Sequence, residues 1–545
     1  VYHASVELPA KWMLNIFFGS PVISPDGKYL AFVAVSDEGK SQIWVRNLAR
    51  SAPQALPDTD GAQYPFWSPD SQNLGFFIIG KLKKIKIGSG SSQTICDVPD
   101  GRGGTWNQNG MIVFAPQPYG GLQKVASAGG KPENLTQVAK PSFSHRWPSF
   151  LPDGRHFLFL CSSGDAPGIS VGSVDSKETQ LLIPNIFSNA FYTEPGYLVF
   201  LKEGSLVAQA FDPGSLKISG EAFPLLEEKV NYTGTRSLTA FSISHNGILA
   251  YQPELPTLAR LVWLDSSGKE LNSAAEEKYD RGFGTPTFLY PRISTDGSKI
   301  ILPRYDRNSS EYDLWILETS TKQLTRFTVN KNVSDSGAWS WDGTKIAYNG
   351  NGTLFVKSVN GGEPEKKIFQ DNQDFHIFSW SPDGKLIFYN RQNPAGDADI
   401  YSVSVAGNEK PVSILATTND EQEPELSPDG KWLAYRSDAT GLPEIYVCPY
   451  PGCNRQWKIS TGGAIFEFWK KDGSELYYQF QNRVMVVTVK AGNEFQFASP
   501  RLLFTLPPNT YLDVAPDGRF LASEPVLDSS QNFVRLLINW PSTLK

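Results

Sequence analysis

Residues Pro21–Phe32 read PVISPDGKYLAF: an apolar strand, a Ser-Pro-Asp-Gly turn and a second apolar strand. The phrase returns as PFWSPDSQNLGFF at Pro65–Phe77, SWSPDGKLIFY at Ser379–Tyr389 and ELSPDGKWLAY at Glu425–Tyr435. Its chemistry is local. Pro presets φ, Asp hydrogen-bonds its own turn, and Gly takes the left-handed position. The repeated Asp is therefore read as a turn former. Recurrence at a near-fixed period marks a repeat architecture.

Twelve such markers can be followed. They fall at Asp26-Gly27, Asp70-Ser71, Asn109-Gly110, Asp153-Gly154, the degenerate Glu194-Pro195-Gly196, Asn246-Gly247, Asp296-Gly297, Asp342-Gly343, Asp383-Gly384, Asp429-Gly430, Asp472-Gly473 and Asp517-Gly518, spaced 39 to 51 residues apart. Each unit continues with a β-branched and aromatic third strand, such as QIWVRNL at Gln42–Leu48 or DLWILET at Asp313–Thr319. A turn and a weaker fourth strand follow, as in ENLTQ at Glu133–Gln137. Four antiparallel strands every ~40–45 residues form a propeller blade. The expected fold is all-β: two tandem six-bladed β-propellers, residues 1–267 and 268–545.

RLVWLD at Arg260–Asp265 is expected as the third strand of blade six, and VRLLINW at Val534–Trp540 as that of blade twelve. The chain ends before a fourth strand for blade twelve. Either each ring takes its outer strand from just before its own first blade, or VYHASVEL at Val1–Leu8 closes blade twelve. Closure matters because an open ring leaves unpaired edges.

Composition bounds the function. Hydrophobic residues make up 40% and charged residues 19%, which is globular. The net charge of −6 argues against a nucleic-acid surface, which needs a basic stripe. KLKKIK at Lys81–Lys86 places its charges on a solvated strand face. No apolar run reaches the ~18 residues of a membrane span. Val1 opens without Met or a basic region, so no signal peptide is read there. Of four cysteines, Cys96 and Cys161 fall in different repeats, whereas Cys448 and Cys453 flank a Pro-Gly turn in VCPYPGCN. Across that hairpin the pair can reach disulfide distance; a bridge would favour an oxidising compartment. C-x4-C without a second pair is a poor zinc signal.

The marker resembles the Pro-Asp repeat of TolB-type propellers, relatives of the WD type. PFWSPDSQNLGFF, GRGGTWNQNGMIVFAP (Gly101–Pro116), SHRWPSFLPDGRHFLFL (Ser144–Leu160), FSISHNGILAY (Phe241–Tyr251) and LLINWPSTLK (Leu536–Lys545) resemble one group in particular. That group is the extracytoplasmic propeller region of acidobacterial-type receptor serine/threonine kinases. The resemblance implies a bacterial, periplasmic or cell-surface sensor, tethered by a helix upstream of Val1. Kinase activity does not carry over: the Gly-rich loop, VAIK-type lysine, HRD and DFG are missing.

The five histidines, His3, His145, His156, His245 and His376, show no i, i+2 or i, i+4 pair, so no local metal motif is present. No Gly-x-Ser-x-Gly elbow marks an α/β-hydrolase. No catalytic residue, metal ligand or cofactor is assigned. Asp397 and Asp399 in GDADIY are the weak candidates for a structural calcium. Binding is expected over catalysis: recognition of a small molecule, glycan, peptide or protein partner. The alternatives are a secreted propeller hydrolase or lyase with an axial-channel site and a TolB-like envelope scaffold. Inner strands line a propeller channel, and their leading residues rim one face. In the first ring those are Tyr64, Arg102, Trp106, His145, Arg146, Trp147 and Tyr192; in the second, Arg292, Trp339, Trp380 and Glu423. Aromatic and Arg side chains carry most recognition energy. Trp67, Trp339 and Trp380 directly precede the turn Ser, a position suited to packing between blades.

Overall fold

The computed structural model describes all residues except 1, 10, 15, 37–39, 51, 139–143, 163–166, 234–235, 255–257, 281–289, 307–310, 330–332, 334–336, 394–396, 408, 481, 491–493, 508–509, 527–532 and 541–545. Val1 and the Pro541–Lys545 end of the LLINWPSTLK motif therefore lie outside the described residues.

The turn marker folds as its chemistry dictates. In the third blade of the second unit, Ser381 Oγ donates to Asp383 Oδ1 at 2.6 Å, Asp383 Oδ1 accepts from the Lys385 amide at 3.1 Å, and Ser381 Oγ accepts from the Leu386 amide at 2.9 Å. Gly384 sits at φ +70°. The same net recurs at Ser24–Asp26, Ser294–Asp296, Ser340–Asp342 and Ser427–Asp429. At Asn246 an amide oxygen does the carboxylate's work, accepting from Ser244 Oγ at 2.6 Å.

Each turn joins the two inner strands of an antiparallel sheet, and each of the two compact units holds six such sheets. In the first unit the inner strands are Val22–Ile23, Gln63–Trp67, Gly104–Trp106, His145–Phe150, Ala190–Thr193 and Phe241–Ile243, and each touches the next round to the first. In the second they are Arg292–Ile293, Ala338–Trp339, Phe375–Trp380, Glu421–Leu426, Ile465–Trp469 and Tyr511–Val514, again a closed cycle. The apolar faces bury against neighbouring blades. Val6, Leu30, Phe32, Ile248 and Val534, for example, fill the seam between blades six and one of the first unit.

Side chains also stitch the seams. The indole Nε1 of Trp67 donates to Val22 O, of Trp339 to Arg292 O and of Trp380 to Ala338 O, each at 3.0 Å, and that of Trp469 to Glu425 O at 3.2 Å. The residue one before each Trp position often accepts in the other sense. Thr105 Oγ1 takes the Phe150 amide, Glu425 Oε1 the Trp469 amide, Ser242 Oγ the Ile23 amide and Asp513 Oδ2 the Ile293 amide. The last two bond blade six to blade one and so close the rings.

The division of the chain differs from the expected one. The first unit comprises Val1–Leu255 and Leu527–Lys545; the second is Pro256–Val526. Blade six of the first unit runs Phe241–Ile243, Ile248–Tyr251, Phe533–Ile538, Tyr2–Glu7. Blade six of the second runs Tyr511–Val514, Phe520–Pro525, Leu258–Leu264, Glu270–Ser273. The two third strands are thus exchanged relative to the sequence expectation. A boundary at 267/268 would cut Leu258–Leu264 from the unit in which it pairs. Each ring does take its outer strand from just before its own first blade, as one of the two closures predicts. The physical reason for the exchange is that Leu258–Leu264 and Phe533–Ile538 begin with the same alternation of buried and half-buried residues. Pattern alone does not say which edge each one fills.

Candidate ligand site in the first ring

Two elements outside the blades lie near the leading ends of the first unit's inner strands. One is a short 3₁₀ turn, Ile16–Phe18; the other a hairpin, Tyr232–Thr233 with Leu238–Thr239, which contacts it. Arg236 lies in the turn of this hairpin.

The inner strands begin with a bulge. Tyr64 and Trp147 take φ +47° and +53°, and Gly103 occupies the same register at φ +86°. Non-glycine residues at positive φ are uncommon and mark a local constraint. A Cβ on Gly103 would stand 2.6 Å from the Trp147 ring, so this Gly makes room for that indole. Trp147 is the hub. Its ring centroid lies 5.0 Å from that of Tyr64, edge-on; its amide donates to Arg102 O at 3.2 Å; its Nε1 donates to Arg236 O at 3.0 Å. Tyr64 Oη donates to Phe17 O at 2.8 Å.

Around this hub stand three arginines. Arg102 is 3% exposed, forks onto Asp100 at 2.6 and 2.7 Å, and lies 5.7 Å from the Tyr64 ring centroid. Its Nε has no partner. Arg146 bonds Pro118 O at 3.2 and 3.0 Å and Ser144 Oγ at 2.6 Å, and Nη1 reaches Arg236 O at 3.5 Å. The Arg236 Nε is buried without a partner. Burial presses all three toward the neutral form. At Arg102, Tyr64 and Asp100 overrule it and the pKa rises. Arg146 is pushed down to about 10 by burial and by the charges of Arg102 and Arg236. Arg236 is lowered too, by burial first. The mouth is therefore short of negative charge.

The structure brings Tyr64, Arg102, Arg146 and Trp147 together. His145 does not join them. Its Nδ1 is 2.8 Å from Thr136 Oγ1 and its ring packs on Phe159 at 4.7 Å, where burial drives its pKa down to about 4. Trp106 and Tyr192 lie at the opposite ends of their strands. There, with Phe66, Thr105, Phe191 and His245, they line a cavity of about 470 Å³. In the second unit Arg292, Trp339 and Trp380 line a smaller cavity of about 130 Å³ with Glu425 and Asp513. Arg292 pairs with Asp513 at 3.8 Å, while Glu423 pairs instead with Arg436 at 3.2 Å. Trp339 and Trp380 are seam residues, 7% and 5% exposed. Asp397 and Asp399 stand near Asp420; no group of three or more His, Cys, Asp or Glu among the described residues is arranged to hold a metal.

Sequence reasoning missed Arg236, with Tyr119 and Tyr232 beside the arginines. One signal was available: the interval from Glu194-Pro195-Gly196 to Asn246-Gly247 is the longest of all, and it houses the extra hairpin.

Over 155 residues the chain is 27% identical to the Tol-Pal system protein TolB of Francisella tularensis, a match covering 28% of this chain and 35% of that protein. The repeats are TolB-like. A 56-residue stretch is 39% identical to TolB of Alcanivorax borkumensis, covering 10% of this chain and 13% of that one. The TolB-like chain thus spans about a third of the length of the first of these relatives. Among solved structures, a putative TolB from Agrobacterium tumefaciens aligns with 50% of this chain and 99% of its own at 17% identity and a TM-score of 0.37. TolB from Acinetobacter baumannii aligns with 56% and 82% at 13% identity and a TM-score of 0.33. No family model matches the chain.

Proposed function

We propose that this chain is a non-catalytic, extracytoplasmic protein-binding scaffold of TolB-like type. The observation that carries the reading is the 155-residue match to a Tol-Pal system protein. A second supports the compartment. Cys448 and Cys453 form a disulfide with their Cα atoms 4.9 Å apart, and such bonds persist outside the reducing cytosol.

The direct test is equilibrium binding of the purified chain to the Pal protein of the same organism, with thiol trapping of Cys448 and Cys453 in cells. Saturable binding and an oxidised pair are expected. No binding, or a reduced pair, overturns the reading. A finer assignment, the sensor region of a receptor kinase, rests on the motif resemblance alone. The coding sequence upstream of Val1 decides it: kinase motifs and a membrane helix would place this chain in that class.

A further inference from the structure

Arg102, Arg146 and Arg236 stand within electrostatic reach of one another around the Trp147 hub, and the carboxylate bonded among them, Asp100, is taken by Arg102 alone. We propose that this mouth of the first ring binds a doubly charged oxyanion on a small soluble ligand, a phosphate group or a dicarboxylate.

Charge comes first. Arg102 is neutralised by its fork onto Asp100. Among the described residues Arg146 and Arg236 have no ion pair; Arg146 spends its donors on the carbonyls of Pro118 and Arg236 and on the Ser144 hydroxyl. A guanidinium held out of water without a counter-ion is costly, and neighbouring like charges add to the cost. The mouth carries two half-buried guanidiniums of this kind beside the buried Arg102, so an anion of charge about −2 balances it.

Donor geometry comes second. A guanidinium presents a planar fork that matches two oxygens of a phosphate or carboxylate. Arg236 is delivered by a hairpin that is no part of any blade, so propeller architecture does not require it there. Its backbone carbonyl is nonetheless fixed by Trp147 Nε1 and Arg146. The Arg102 Nε is buried with no acceptor. The edge-on pair of Tyr64 and Trp147 supplies an apolar wall for a ligand body.

The site does not depend on the scaffold reading, because its probes are small ions rather than a partner protein. The test is titration of the purified chain with inorganic phosphate and, separately, succinate, at constant ionic strength set by potassium chloride. Calorimetry and the fluorescence of the tryptophans read it out. Saturable binding is expected from at least one probe, and which one tells phosphate from dicarboxylate chemistry. Arg236→Gln and Arg146→Gln are expected to weaken it on the order of tenfold to a hundredfold, the loss of a charge-assisted hydrogen bond. Arg155→Gln, at an exposed arginine paired with Asp175, leaves it unchanged. Wild-type protein that shows no saturable response to either probe up to about 10 mM, far weaker than any built anion site, overturns the proposal even if both pocket variants misfold. So does undiminished binding in a folded Arg236→Gln protein.

Discussion

Trp380 Nε1 donates to the carbonyl of Ala338 at 3.0 Å, across the seam between two consecutive blades of the second unit. The indole is 5% exposed, so water does not replace the bond when it is removed. Trp380→Phe keeps most of the ring and strands the Ala338 carbonyl. The expected cost is about 1–3 kcal/mol in denaturant unfolding. Trp380→Ala adds a cavity and is expected to cost about 3–5 kcal/mol. Equal stability of wild type and Trp380→Phe would show that the seam bond contributes nothing.

The turn carboxylates make stability acid-sensitive. The hydrogen bond from Ser381 and the Lys385 amide hold Asp383 below its ordinary value of 3.8. A folded pKa below the unfolded one gives stability that is complete above the unfolded value and fades as pH falls through it. Asp26, Asp296 and Asp342 are lowered as well, so the losses accumulate below about pH 4. Asp383→Asn is expected to fold normally and to lose part of this acid sensitivity, because Asn246 already makes the same turn with an amide oxygen. Asp383→Ala removes the acceptor and is expected to cost about 1 kcal/mol near neutral pH. Thermal melts across the acid range distinguish the two.

Glu425 has the opposite sign. Burial pushes its pKa from 4.5 up to about 7, against the pull of Arg292. The folded state then holds a proton that the unfolded state has lost, so the second unit loses stability as pH rises from 4.5 to about 7. Glu425→Gln keeps an oxygen for the Trp469 amide and cannot ionise. It is expected to gain about 3 kcal/mol above neutrality and nothing below the unfolded pKa. A variant that tracks wild type across this window would mean that Glu425 titrates normally.

The Cys448–Cys453 bridge closes a short loop, with a sequence separation of 5. Loop-closure entropy makes it worth about 2 kcal/mol. Reduction is expected to lower the melting temperature of the second unit and leave that of the first unchanged. Calorimetry with and without reductant measures both.

The blades were legible because Ser-Pro-Asp-Gly carries its own hydrogen-bond logic, and because Trp before Ser has one sensible place to go. Other features were not. His145 and Arg146 are adjacent, yet only Arg146 reaches the mouth. Ordinary strand alternation sends the two to opposite faces, and the register shift between Arg146 and Ser149, with Trp147 at positive φ, breaks that alternation so that Trp147 joins Arg146; no local pattern announces the shift. Arg236 was hidden because it stands on a hairpin outside the repeat. The carboxylates Asp513 and Glu425 gave no sign that they bond the next blade's backbone, since Ser242 and Thr105 do the same work elsewhere.

The strand exchange makes the strongest prediction. If Phe533–Ile538 completes blade six of the first unit, a fragment of residues 1–267 lacks its third strand. Ile248–Tyr251 and Tyr2–Glu7 then have nothing between them. Such a fragment leaves a long apolar edge open and is expected to aggregate or unfold. Residues 256–526 contain every strand of the second unit, including Leu258–Leu264 paired with Phe520–Pro525, and are expected to fold and melt cooperatively alone. Residues 268–545 lack Leu258–Leu264 and are expected to fail. Expression of the three fragments with circular dichroism and calorimetry decides the matter. A stable, cooperative 1–267 fragment beside an unfolded 256–526 would reverse the assignment of the two third strands.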